Sequence, residues 1–197
     1  MSKGVWYMLL STFFFSLMNV SVKLLPNIPS VEIVFFRSII SLIICLGFLL
    51  PTHTRIFGNN KKLLLLRGFS GAMALILYFR LLQEIPLATT TTILFLSPIF
   101  ASILGISFVN EKVARIQWLF FLISFAGIIF IKGFDTRIDL IYLVLGVSSS
   151  FFSGIAFNCI RKMNTSEHPL VIILYFPLVT LPIAGFWSYF IWVKPSG

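Results

Sequence analysis

Acidic residues are scarce in this chain: six Asp and Glu stand against 15 Lys and Arg, with only two His and two Cys among 197 residues. All six acids, and both His53 and His168, fall at the ends of apolar runs or between them. No carboxylate is therefore placed for a proton relay through a membrane interior. No His/Cys/Asp cluster has metal-ligand spacing, so no metal and no cofactor is expected. Paired carboxylates, a nucleophile–base set and a glycine-rich phosphate loop are all missing, which argues against an enzyme. Cys45 and Cys159 lie in different apolar runs, make no disulfide framework, and read as small packing residues. Long polar segments are missing too, so no separate soluble catalytic domain fits.

Apolar residues fill the space that is left. Hydrophobic residues make up 58% of the chain and the mean hydropathy is +1.02, above the usual share of a soluble domain. Seven runs hold nearly all the Phe, Leu, Ile and Val: Gly4–Leu24, Val31–Leu50, Leu63–Leu82, Ala88–Phe108, Ile116–Ile131, Leu140–Ile160 and Leu170–Val193. About 20 apolar residues in a helix cross a hydrocarbon core of about 30 Å. The fifth run is short and reaches that length by including Arg115 and Lys132. The fold class expected is all-α, a polytopic bundle of transmembrane helices. The first run is too long for a signal peptide, carries Asn19 and Lys23, and reads as a retained span.

The net charge of +9 invites a nucleic-acid reading, but the basic residues sit between apolar runs and form no stripe, so no nucleic-acid partner is expected. The lipid bilayer is the partner, with a homodimer as a permitted assembly. With the N-terminus cytoplasmic, nine basic residues fall inside (Lys3, Arg55, Lys61, Lys62, Arg67, Lys112, Arg115, Arg161, Lys162) and six outside (Lys23, Arg37, Arg80, Lys132, Arg137, Lys194). That bias favours a cytoplasmic N-terminus and places the Pro51–Lys62 loop inside. A multi-pass protein of the cell inner membrane is the expectation.

An internal repeat links Ser11–Lys23, STFFFSLMNVSVK, with Ser149–Arg161, SSFFSGIAFNCIR. The second copy lies five spans on from the first, and an odd displacement turns it upside down in the membrane. Inverted repeats around a central site are a transporter architecture.

Four elements are more specific: Arg67-Gly68 opening the third span, Ile85-Pro86-Leu87-Ala88 opening the fourth, Ser97-Pro98 within it, and Asn110-Glu111 followed by the Trp118…Gly127 helix. In this order they resemble the EamA family of the drug/metabolite transporter superfamily. The resemblance implies ten spans in two inverted five-span repeats, cytoplasmic termini and a central cavity for a small-molecule substrate moved by alternating access. FFR and LRG elements are similar to S-adenosylmethionine uptake members, so nucleoside-like, amino-acid-like or S-adenosylmethionine-like solutes are candidates. Residues 1–134 would form the first repeat and 135–197 the start of the second, holding two helices. A fragment or a truncated product is then implied, one not expected to transport as it stands. The alternative is a membrane protein that does not transport, an embedded enzyme or a partner-binding subunit.

Polar residues inside spans are the site candidates. Thr12, Ser16, Asn19 and Lys23 lie along one helical face and suit either a cavity wall or helix-bridging hydrogen bonds. Lys23 is expected to snorkel to the headgroups. Arg37 stands about 9 Å along the helix from Val31; it either meets anionic substrate groups in a cavity, or snorkels, or pairs with Glu32 or Glu84. Tyr78 offers a ring and a hydroxyl. Thr91 and Phe95 share a face in the fourth span, which Pro98 should kink. Asn158 is the late Asn of the second copy. Gly68, Gly71 and Ala72 suit close helix packing.

Overall fold

A computed structural model describes residues 3–52, 57–134 and 139–193; Arg55, Arg137, Asp135 and Lys194 lie outside them. The described residues are helical with short connections: α1 (Lys3–Lys23), α2 (Ser30–Leu49), α3 (Lys61–Glu84), α4 (Leu87–Leu94), α5 (Ser97–Phe108), α6 (Arg115–Phe134), α7 (Leu140–Met163) and α8 (Pro169–Ile191), with a 3₁₀ turn at Leu50–Thr52. Six helical segments are long and apolar enough to cross a membrane, α4 and α5 counting together as Leu87–Phe108. In α6 the apolar stretch Arg115–Gly127 is shorter, although its helix runs on to Phe134. The chain is a multi-pass membrane protein.

Local chemistry sets the boundaries. Pro29 and Pro86 precede α2 and α4, where their missing N–H falls among donors that have no helical partner anyway. The fourth span breaks at Phe95-Leu96, just ahead of Pro98, which cannot donate back along the helix. Asn110 ends α5 in the left-handed region, with φ 54°, a conformation that Asn tolerates. Its turn lets Glu111 N donate to Gly105 O at 3.1 Å. The Glu111 carboxylate then takes Arg161 of α7 at 2.9 Å, so the Asn110-Glu111 element is a brace between α5 and α7.

Helix α3 is the centre of the bundle. It packs on α7 and α8, while α2 lies along α8 and α5 along α7. One cluster joins Cys45, Leu49, Leu64, Cys159, Met163 and Leu174 at one end of the bundle. A second joins Val22, Val34, Tyr78, Phe79, Leu82 and Ala184 at the other. Both cysteines are buried in the first. In a bilayer, tails are as apolar as Leu, so close packing and interhelical hydrogen bonds must hold such contacts. Gly68 supplies the closest approach: a Cβ there would come within 2.7 Å of the Tyr175 carbonyl oxygen. On α7, Ser149 Oγ donates to Ala74 O at 2.8 Å and Ser150 Oγ to Ile93 O at 3.1 Å, tying it to α3 and α4. Helices α1 and α6 turn most of their large apolar side chains outwards.

Each end of the bundle has a polar clasp. At one, Glu167 Oε1 accepts from the backbone N–H groups of Asn59 and Asn60 at 2.7 and 2.6 Å. At the other, Lys23 Nζ donates to Gln83 O and Ile85 O at 3.1 and 2.8 Å. Gln83 Nε2 reaches back to Leu25 O and Ile28 O. Lys23 is therefore not a snorkelling residue. Carbonyls at the end of a helix lack helical donors, and an ammonium is a strong substitute.

Candidate functional site

Two arginines meet inside the bundle. Arg37 extends from α2 and Arg67 from α3, and their guanidinium carbons lie 5.6 and 5.1 Å from the ring centre of Phe176 on α8. The sequence prepares this. Gly71 lies one turn beyond Arg67, and a Cβ there would come within 2.5 Å of Arg67 Nη1 and 2.8 Å of the Phe176 ring. Having no side chain at that position leaves room for both groups. Pro177, inside α8, follows the ring at once.

Neither arginine has a carboxylate among the described residues. Among the described residues the ion pairs are Arg80–Glu84 and Arg161–Glu111. Arg67 Nε is buried without a hydrogen-bond partner. Arg37 meets neither acid considered from sequence: Glu32 Oε1 accepts from Val193 N at 2.7 Å, and Glu84 holds Arg80 and Tyr142. Grooves flank Arg37 on both sides. One of about 250 Å³ lies towards α1, walled by Met18, Ser21 and Phe79. Another of about 430 Å³ lies towards α8, walled by Ser41, Cys45 and Ile173. Ser38, next to Arg37, is buried with its hydroxyl unpartnered.

A second polar pair lies between α1 and α3. The side chains of Asn19 and Tyr78 are neighbours, and both are almost wholly buried. Yet Asn19 Oδ1 and the Tyr78 hydroxyl make no hydrogen bond. Phe15 stacks on Tyr78 with centroids 6.2 Å apart. Buried polar groups left open cost about 1–3 kcal/mol each, so a pair of them marks a place where a ligand or water can bind.

The other sequence candidates are not gathered here. Thr12 and Ser16 face outwards and donate to Met8 O and Thr12 O of their own helix. Thr91 donates to Ala88 O, and Phe95 is 74% exposed. Asn158 is fully buried; its Nδ2 donates to Ala101 O at 2.8 Å and Gly154 O at 3.0 Å, which ties α7 to α5. Arg67 and Phe176 were not among the candidates. Arg67 looks like a loop charge because it follows Lys61-Lys62, but its spacing to Gly71 puts both on one helical face. Phe176 carries no such signal in a chain with 23 Phe.

Comparison with known proteins adds relatives. The family model described as "EamA-like transporter family" matches residues 2–133. The chain is similar to the pseudopaline exporter CntI of Pseudomonas aeruginosa, 30% identical over 97% of this chain and 69% of that protein. It is also similar to solute carrier family 35 member G1 of Mus musculus, 30% identical over 94% of this chain and 56% of that one. The S-adenosylmethionine uptake transporter of Rickettsia prowazekii is 28% identical, over 98% and 66%. The chain thus spans between 56% and 69% of the length of these three relatives. No solved structure matches it.

Proposed function

This chain belongs to the EamA-like transporter family, and from that membership we propose that it moves a small metabolite by alternating access, through a cavity walled by α1, α2, α3 and α8. The observation that carries the proposal is a group of polar atoms on α1, α2 and α3 left without partners, Asn19 Oδ1, Ser38 Oγ, Tyr78 Oη and Arg67 Nε; Gln83, Ser97, Asn158 and Ser188 hold further such atoms. Such groups are expensive in hydrocarbon and mark solute paths. The repeat of α1 in α7 supports an inverted architecture, with 1–134 as the first repeat and 135–197 as the start of the second. A cytoplasmic N-terminus in the bacterial inner membrane accords with the loop charges. Relatives named as an exporter and as an uptake transporter leave both directions open to the same architecture.

Uptake or efflux in vesicles tests the reading, with these spans carried in a complete ten-span carrier, because the 197 residues by themselves are not expected to transport. Tyr78→Phe and Asn19→Ala should each lower transport about tenfold, the value of one lost hydrogen bond to a bound solute. Membrane abundance should stay normal, because the Tyr78 hydroxyl has only Asn19 beside it and no partner at hydrogen-bonding distance. A parallel fall in abundance and transport would make the pair a helix bridge instead.

A further inference from the structure

We propose that Arg37 and Arg67, gathered on the ring of Phe176, bind an anionic group, a carboxylate or a phosphate. The argument is one of missing charge. Each guanidinium is costly to place within a span, less so towards the ends. Cation–π contact with Phe176 returns only part of that, and the two cations share one ring. They also repel each other. A protein would ordinarily answer with a carboxylate, but the acids are engaged elsewhere: Glu32 by Val193 N, Glu84 by Arg80, Glu111 by Arg161 and Glu167 by Asn59 and Asn60. Asp139 is exposed at the start of α7, and Asp135 lies outside the described residues. Among the described residues no carboxylate is left for the pair, and an anion from outside the chain would supply one. Guanidinium forks suit planar carboxylate and tetrahedral phosphate alike. The groove of about 430 Å³ beside Arg37 is within the size range of small-molecule sites. Assigning the anion to the transported solute rests on the carrier proposal; a lipid phosphate offers the same chemistry.

Thermal unfolding of the purified chain in a non-ionic detergent separates these sources. Malate and inorganic phosphate are the soluble probes, phosphatidylglycerol in mixed micelles is the lipid probe, and potassium chloride at equal ionic strength is the control. A saturable rise in Tm beyond chloride is expected with malate or phosphate. The half-saturating concentration should increase about tenfold or more in Arg37→Gln and in Arg67→Gln. Should either Gln variant fail to fold, Arg37→Lys and Arg67→Lys keep the charge, lose the fork, and should weaken binding to an intermediate degree. Protection by phosphatidylglycerol alone, lost in the same variants, upholds the anion site and assigns it to a headgroup. No protection by any probe, or protection unchanged in the variants, overturns it. A complete carrier with these spans that still moves a neutral or cationic solute in vesicles would then keep the carrier reading and lose only this one. Anion binding without transport of any solute would do the reverse.

Discussion

Gly71 makes room for Arg67: a Cβ on Gly71 would sit 2.5 Å from Arg67 Nη1, nearer than real contacts allow. That obstacle is the far end of a flexible side chain, although the Phe176 ring of α8 stands at 2.8 Å as well and would have to shift. At Gly68, one turn earlier, the obstacle is the Tyr175 carbonyl oxygen at 2.7 Å, part of the α8 backbone. Two glycines of one face thus have different duties. Gly68 seats the backbone of α8, and Gly71 seats a charge together with the ring it rests on.

Substitution to Ala should separate those duties. Gly68→Ala forces α8 away from α3 and should destabilise the chain by about 1–3 kcal/mol, the usual cost of overpacking. Gly71→Ala should leave folding closer to normal while displacing the Arg67 guanidinium from Phe176, with anion protection falling in step with Arg67→Gln. Gly47, which has nothing within 4 Å of its Cβ position, is the control; Gly47→Ala should be neutral or slightly stabilising by helix propensity. Thermal unfolding of the three variants checks the order. Equal losses at Gly47 and Gly68 would mean that α3 and α8 do not approach as described.

Lys23 should matter more than a snorkelling lysine. Its ammonium donates to Gln83 O and Ile85 O, and α1 has few other polar ties to the bundle. Hydrogen bonds from a charged group are worth about 1.5–3 kcal/mol. Lys23→Met should therefore lower stability by about 2 kcal/mol, about 4–8 °C in Tm for a chain of this size. Lys23→Arg should recover part of it. An unchanged Tm in Lys23→Met would return the ammonium to the headgroup region.

How much of this could be read beforehand follows from which forces act locally. The apolar run Val31–Leu50 became α2 at Ser30–Leu49, and Leu140–Ile160 became α7 at Leu140–Met163, because bilayer thickness fixes helix length whatever the partners. The Pro98 break was legible as well, since a missing N–H acts within one turn. Partner choice was not. Lys23 and Gln83 are 60 residues apart, and only the packed bundle brings the end of α3 under α1. Asn158 and Asn19 look alike in sequence. Both leave Oδ1 without a partner, but Asn158 bridges α7 to α5 through its Nδ2, while Asn19 lies beside Tyr78. That difference arises from which helices flank α1 and α7, information that hydropathy does not carry.

Orientation is the remaining prediction. Asn59 lies in the turn before α3, exposed at its side chain, and its N–H is held by Glu167. A cysteine placed there keeps that backbone bond and loses only the Asn59 Nδ2 contact to Ser166 O. The native Cys45 and Cys159 are buried and can be replaced by Ala to clear the background. The charge bias puts this turn in the cytoplasm, with Lys61 and Lys62 beside it. The same turn meets the α7–α8 connection through Glu167, so both must lie on one side of the membrane. In intact cells, Asn59→Cys should resist an impermeant maleimide and react once the membrane is permeabilised. Cysteine at Asn27, between α1 and α2, should show the opposite pattern, since one span separates the two positions along α2. Ready labelling of Asn59→Cys from outside would invert the chain and carry the Glu167 clasp to the outer face with it.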